Sequence, residues 1–376
     1  MRLAILHTVA IGLIALLTGC QLAGEAGDRP PLERLRLADG FAIELFAEIP
    51  GARSLAVADD GARIYVGTRG HEVFAVLDPE RDGKANEVIR VASGLKVPNG
   101  LAVDRDGTLY VAEQHRILRL PPSDKPEVPG EWKVIVPPGV LPDQSLHGVR
   151  YAGFGPDGRL YVALGAPCNA CETKGFEGTM IRLRPDGHAL EIYAHGLRNA
   201  QGLDWHPGTG ELFFTDDGTD WLGDLIPPDE LNHAPEPYLH FGYPYRYGMN
   251  LPNPRFVART PHQATTGSVL DFQAHAAALA LRFYRGAMFP EAYRHDAFVA
   301  QHGSWNRTDP VGYRVMRVHF NSAGQPISTE VFVDGWLDRD DGFWGRPVDI
   351  AELPDGSLLV SDDFAGLIYR ITYVGR

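Results

Sequence analysis

The sequence predicts an all-β chain, a six-bladed β-propeller of four-stranded antiparallel blades, and three observations carry that prediction. A polar turn containing glycine, followed by a short run of β-formers, recurs along the chain. A strand and a turn precede each copy, and further strands follow it. No helical segment separates one unit from the next. Six units in about 350 residues leave roughly 55–60 residues each, and repeats of this kind bury their faces by stacking into a closed ring.

The repeated phrase first reads Asp59-Asp60-Gly61-Ala62-Arg63-Ile64-Tyr65-Val66. It returns as Asp104-Arg105-Asp106-Gly107-Thr108-Leu109-Tyr110-Val111 and as Gly155-Pro156-Asp157-Gly158-Arg159-Leu160-Tyr161-Val162. A variant runs from His206 to Phe214, a degenerate copy from Tyr293 to Ala300, and a last clean copy from Pro354 to Val360. Asp-Gly supplies a turn at positive φ, and the alternating branched and aromatic residues after it build a strand. The strands before the turns are 51–57, 98–103, 148–154 and 201–205. Those downstream are 117–120, 180–183, 313–318 and 367–371. Pro121 to Gly139 reads as a loop on the second blade. The proline-rich stretch from Asp216 to Asp271 reads as a long loop insertion between the fourth and fifth units, and long loops of this kind build binding sites. The alanine-rich stretch from His275 to Ala280 allows a short helix.

Composition narrows the function classes. The chain has 376 residues, with Lys plus Arg at 35 and Asp plus Glu at 48, a formal net charge of −13. A nucleic-acid partner calls for a basic patch, which this balance argues against. The 42 glycines and 29 prolines have no collagen period and fit a chain dense in turns. Arg2 precedes an apolar run from Ala4 to Leu17, too short and too close to the start for a membrane span. Leu17-Thr18-Gly19-Cys20 resembles the lipobox of bacterial lipoproteins. That resemblance implies a signal peptide over residues 1–19, a lipid anchor at Cys20 and a tether over 20–37. The propeller, residues 38–376, is then exported and lipid-anchored at the periplasmic face of the outer membrane or at the cell surface. In an oxidising compartment Cys168 and Cys171 read as a short local disulfide. A metal site would need two further soft ligands, and no second cysteine pair offers them.

Propellers gather functional groups where loops converge on the central channel. The residues just before each repeat phrase are therefore the candidates: Asn99, His147, Arg198-Asn199, Asp216-Asp217-Gly218-Thr219, Trp305-Asn306-Arg307 and Arg346. Arginines around a channel suit a planar, multiply anionic ligand, because the guanidinium fork matches carboxylates bidentately.

In these stretches the chain resembles the soluble pyrroloquinoline-quinone (PQQ)-dependent sugar dehydrogenases of the aldose and sorbosone type. The likeness runs through Leu146-His147-Gly148 and on through Phe154 to Val162. It continues in His195-Gly196-Leu197-Arg198-Asn199-Ala200-Gln201-Gly202, Asp229-Glu230-Leu231-Asn232, Phe241-Gly242-Tyr243-Pro244 and Ile368-Tyr369-Arg370. It implies oxidation of an aldose or related polyol with PQQ and Ca²⁺, electrons passing to a separate acceptor, a quinone or cytochrome. His147 then corresponds to the general base, for which an imidazole near neutral pKa is suited. Arg198 corresponds to the cation at the reactive carbonyl and Asn199 to a neighbouring cofactor contact. Gly218 and Thr219 correspond to the carbonyl ligands of Ca²⁺, which prefers hard oxygen. Arg307 and Arg346 correspond to cationic grips on the cofactor carboxylates. In the glucose enzyme of that group an Asp orients the base; the matching place here is Gly165-Ala166-Pro167. Glu172 or Asn169, presented by the Cys168–Cys171 loop, is left to do so. Two other readings compete: a calcium-dependent lactonase or esterase propeller, and a non-catalytic ligand-binding propeller.

Overall fold

The turns explain why the strands form where they do. In the computed structural model, which describes residues 30–375 apart from 60, 123–130, 260, 262, 339 and 341, Gly61, Gly107, Gly158, Gly210 and Gly356 all sit at positive φ between the first two strands of a blade. At Gly107, Gly158 and Gly356 an aspartate beside the glycine fixes the turn. Asp106 accepts from the Thr108 amide at 2.9 Å, Asp157 from Arg159 at 3.1 Å and Asp355 from Ser357 at 2.8 Å. These are local Asx interactions, so each turn is set by its own sequence.

Six antiparallel sheets follow. Their innermost strands are Leu55–Val57, Gly100–Val103, Tyr151–Phe154, Ala200–Trp205, Ala278–Phe283 and Pro347–Glu352. Each inner strand contacts the next and the sixth contacts the first, which closes the ring. Phe41–Glu48 pairs with Leu367–Tyr373, so the last blade takes its outer strand from the start of the propeller. Arg36–Leu37 likewise adds to the fifth blade through Pro326–Asp334. Joining the two ends in one sheet removes the open edge that a linear stack would leave.

Two stretches read as irregular contribute strands. Lys133–Val136, within the expected loop of the second blade, is that blade's outer strand. Within Asp216 to Asp271, Glu230–Ala234 and Leu270–Asp271 are the third and fourth strands of the fourth blade. Leu239–His240 adds a parallel fifth strand to the third blade. Hydrophobic spacing missed them because Glu230, Asn232 and His233 are polar and the outermost strand is two residues long. The helix allowed at His275 to Ala280 does not form. Ala278 begins an inner strand, and its neighbours are buried between blades, where backbone pairing overrides alanine's helix preference.

The core lies between the blades, as apolar faces pressed sheet on sheet. Phe46 on the closing strand packs with Ile49, Val66 and Leu359. Phe46→Ala is expected to destabilise the protein by about 3–5 kcal/mol, read from the denaturant midpoint; a change below about 1 kcal/mol would mean that the closing strand carries little of the stability. Cys168 and Cys171 form the expected disulfide. Residues 1–19 and Cys20 lie outside the described residues, and among those described no helix is long and apolar enough to cross a membrane.

Candidate functional site

The inner strands all begin at one mouth of the channel, and the loops meeting there enclose a cavity of about 290 Å³. Its lining includes His147, Arg198, Asn199, Asp217, Gly218 and Asp229, with Leu146, Trp305 and Asn306 toward the opening.

His147 stands four residues before the inner strand of the third blade. Its backbone is left-handed, with φ 50°, and the ring turns inward against Gly165-Ala166. A side chain at position 165 cannot be accommodated: a Cβ would lie 2.5 Å from the His147 carbonyl oxygen. His147 Nδ1 is 2.8 Å from the Ala166 carbonyl. A carbonyl only accepts, so Nδ1 carries the proton and Nε2 is left with the lone pair. Ala166 thus orients the imidazole through its main chain. Neither proposed substitute does so. Glu172 pairs with Arg259 at 3.1 Å and accepts from Tyr245, while Asn169 bonds Arg198. Burial pushes the His147 pKa down to about 4; the Arg198 charge adds to the effect and the Ala166 bond opposes it. The ring is therefore a neutral acceptor at ordinary pH. In the ligand-free protein its NMR titration midpoint is expected near pH 4, below which the Nε2 lone pair is taken up by a proton; a midpoint near 6.5 would contradict this environment.

Arg198 is 4% exposed. Its Nε–H donates to the Asn169 carbonyl at 3.2 Å, Nη2 to Asn169 Oδ1 at 2.8 Å and to Asp220 at 2.6 Å, and Nη1 to the Asp217 carbonyl at 3.2 Å. The Arg198 and Asn199 amides both donate to Asp216, at 2.8 and 2.6 Å. Asn199 Nδ2 donates to Asp217 and its Oδ1 accepts from Gln201, each at 2.9 Å. Burial pushes Asp216 up to about 6 and raises Asp217, Asp229 and Glu230 as well. Crowded, desolvated carboxylates favour either a proton or a cation.

The oxygens here fit a hard cation. Asp217 Oδ1 and Asn306 Oδ1 are buried without a hydrogen-bond partner. Among the described residues no three His, Cys, Asp or Glu side chains are arranged to hold a metal by themselves. An ion here would draw on backbone and ligand oxygens, as Ca²⁺ readily does. The Gly218 amide donates to Asp229 at 3.0 Å, which anchors the turn carrying the Gly218 and Thr219 carbonyls.

The cavity brings together His147, Arg198, Asn199 and Gly218; Thr219 is buried beside Asn169. Arg307 and Arg346 are not in its lining, so one arginine rather than a ring of them faces His147. Backbone carbonyls hold the other two. Arg307 donates to those of Asp309, Asp224 and Ala274, and Arg346 to those of His302 at 3.1 Å and Gly303 at 2.6 Å. Arg346 also stacks over Tyr313 and Phe343. Asn99 is buried, accepting from Arg53 and donating to the Arg150 carbonyl. Sequence reasoning missed Asp220, which braces Arg198, and the His302–Asp363 pair at 2.7 Å, which Arg53 completes. His275 also lines the cavity, held by the Gly223 and Ile226 carbonyls. Trp221 and Trp305 stand at the mouth, 65% and 62% exposed, with ring centres 5.0 Å apart. A larger cavity, about 640 Å³, opens at the far ends of the inner strands. It contains no histidine, and Asp204 is forked there by Arg285 at 2.8 and 2.9 Å.

An uncharacterized protein of Borreliella burgdorferi is 33% identical over 353 residues, covering 90% of this chain and 91% of that one. A family model described as TrAA12-like matches residues 245–374. The chain belongs to the family of that Borreliella burgdorferi protein. Three solved structures share the propeller fold. The calcium structure of a Trichoderma reesei carbohydrate-active enzyme of family AA12 superposes with a TM-score of 0.78 at 19% identity, over 90% of this chain and 97% of that one. The holo PQQ domain of Coprinopsis cinerea pyranose dehydrogenase gives 0.74 at 17%, with the same coverage. The soluble aldose sugar dehydrogenase of Escherichia coli gives 0.66 at 17%, over 89% of this chain and 99% of that one.

Proposed function

We propose that this protein is a PQQ-dependent sugar oxidoreductase, oxidising an aldose or related polyol with Ca²⁺ at the His147 cavity and passing electrons to a separate acceptor. The observation that carries the reading is the juxtaposition in one cavity of a neutral, carbonyl-oriented imidazole, a fixed guanidinium and unpartnered hard oxygens. The solved structures of similar fold support it: one is a PQQ domain, another a calcium form of an AA12 enzyme.

When bound, the quinone supplies a two-electron acceptor for hydride from the sugar's carbinol carbon. His147 Nε2 receives the hydroxyl proton, and Nδ1–H to Ala166 keeps the lone pair facing the cavity. Arg198 sets a fixed positive charge beside oxygen that becomes negative. Asn199 would contact the cofactor, and the Gly218 and Thr219 carbonyls, with Asp217 Oδ1 nearby, would hold the Ca²⁺. Arg346 and Arg307 would reach cofactor carboxylates only by giving up their present carbonyl partners. Trp305 and Trp221 offer flat apolar faces at the mouth for a pyranose ring.

Saturating Ca²⁺ is expected to raise the melting temperature of the ligand-free protein by about 2–5 °C, with Mg²⁺ much less effective; no difference between the two ions would remove the calcium assignment. Dye reduction by an aldose panel in the presence of PQQ tests the activity. The lactonase reading draws on the Asn199, Asp217, Asp229 and Asn306 oxygens in the same cavity, and lactone hydrolysis without added quinone would favour it. Export and lipid anchoring at Cys20 belong to the same proposal, and mass spectrometry of the mature N-terminus tests them.

A further inference from the structure

The loop that follows the His147 seat is tied down in an unusual way. From Pro167 to Thr173 it makes no backbone–backbone hydrogen bond among the described residues. The cross-link and side chains hold it instead. The Cys168–Cys171 disulfide closes the ring. The Tyr243 hydroxyl donates to the Cys168 carbonyl and accepts from the Cys171 amide, both at 3.1 Å, and Glu172 pairs with Arg259 and accepts from Tyr245. Burial pushes the Tyr243 pKa up to about 12, so its O–H remains a donor at any working pH.

Asn169, inside the disulfide ring, faces the site with both of its oxygens. Its carbonyl accepts from Arg198 Nε–H, and its Oδ1 accepts from Arg198 Nη2 and from the Asp220 amide at 2.9 Å. Its Nδ2 donates back to the Asp220 carbonyl at 3.0 Å. Asp220 in turn pairs with Arg198 and accepts from Asn306 at 3.1 Å. The guanidinium is thus gripped on two edges, by Asn169 and Asp220, and each partner holds the other. Ala166, three residues before Asn169, takes the His147 bond and also donates its amide to the Arg198 carbonyl at 2.8 Å.

We propose that Asn169 is a positioning residue for Arg198, and that the Cys168–Cys171 disulfide makes that grip conditional on the redox state of the loop. The inference rests on the reading of Arg198 as a cofactor contact. A small dithiol balances the step: the S–S bond breaks, the two sulfurs gain two electrons and two protons to become thiols, and the dithiol closes to a cyclic disulfide. Both cysteines are half-buried at the loop surface, within reach of such a reductant. Without the cross-link, a segment lacking backbone hydrogen bonds regains conformational freedom, and Asn169 is no longer presented to the guanidinium.

The test reads Arg198 directly in the full-length, cofactor-free protein. With ¹⁵N-labelled arginine, the Arg198 Nε–H, assigned by its loss in Arg198→Lys, is expected to exchange slowly with solvent in the oxidised protein. Exchange should accelerate at least ten-fold in Asn169→Ala, on reduction by dithiothreitol, and in Cys168→Ser/Cys171→Ser. Dithiothreitol should add nothing to the double serine variant. PQQ affinity is expected to fall at least ten-fold in the same three states. Tyr243→Phe, which leaves the disulfide intact, should give an intermediate effect on exchange. Exchange within two-fold of wild type in Asn169→Ala, with the melting temperature unchanged, overturns the positioning role. If Asn169→Ala responds but the reduced and double serine forms exchange as the oxidised protein does, the redox dependence is overturned. If the oxidised wild type binds no PQQ, the functional reading fails while the exchange data still judge the brace.

Discussion

His147→Gln is expected to lower sugar-dependent turnover by about 10²–10⁴-fold while leaving PQQ binding within a few-fold of wild type, the range for loss of a general base. The separation of the two effects is the informative part. His147 contributes one lone pair at Nε2, and its Nδ1–H is spent on the Ala166 carbonyl. Glutamine fills similar space without a basic nitrogen, so the proton acceptor is lost and the packing is kept. The ordinary cost of a buried histidine does not enter, because this ring is already held neutral by burial and the Arg198 charge. Equal losses of binding and turnover would instead make His147 a wall of the cavity rather than its base. Steady-state rates with a dye acceptor, measured alongside a cofactor titration, separate the outcomes.

Arg198→Lys is expected to cost about 10²–10³-fold in kcat/KM, with much of the loss in cofactor affinity. A lysine keeps the charge but not the fork. The present guanidinium spends donors on Asn169, Asp217 and Asp220 and holds a fixed plane beside His147; an ammonium cannot satisfy those acceptors and face the ligand in the same geometry. The substitution also leaves Asp220 poorly matched at a half-buried position, so a small drop in melting temperature should accompany it. Activity within a few-fold of wild type would mean that charge alone suffices and that the grip of Asn169 has no bearing on function.

The fold was legible because its determinants are local. The Asp-Gly turns at Gly107, Gly158 and Gly356 each close on an aspartate two residues from the amide it caps, and a strand of alternating apolar residues follows. Those signals are complete within a dozen residues. The fourth blade was harder, since its outer strands are drawn from a polar, proline-rich stretch and are defined by partners across the sheet.

The site divides in the same way. His147, Arg198, Asn199 and Gly218 were reachable because each stands just before an inner strand or just after its partner, and the topology brings those positions to one mouth. What supports them was not reachable from residue types. The group that orients His147 is a main-chain carbonyl, for which alanine serves as well as any residue, so a missing Asp at that place signalled a defect that the backbone repairs. Arg307 and Arg346 face carbonyls supplied by distant turns, and no composition rule foretells that capture. Asp220 and Asn169 meet Arg198 across separations of 22 and 29 residues, a pairing set by how the third and fourth blades adjoin.

Direct titration tests whether the cavity around His147 binds pyrroloquinoline quinone. Purified protein lacking residues 1–19 and the lipid, freed of metal with a chelator, is titrated with PQQ in the presence and absence of Ca²⁺ while the cofactor's absorption spectrum is followed. Saturation is expected at one PQQ per chain at micromolar or lower concentration, with dependence on Ca²⁺, weakening in Arg198→Lys and retention in His147→Gln. No saturable spectral change at micromolar cofactor, or binding indifferent to both Ca²⁺ and Arg198, would contradict it.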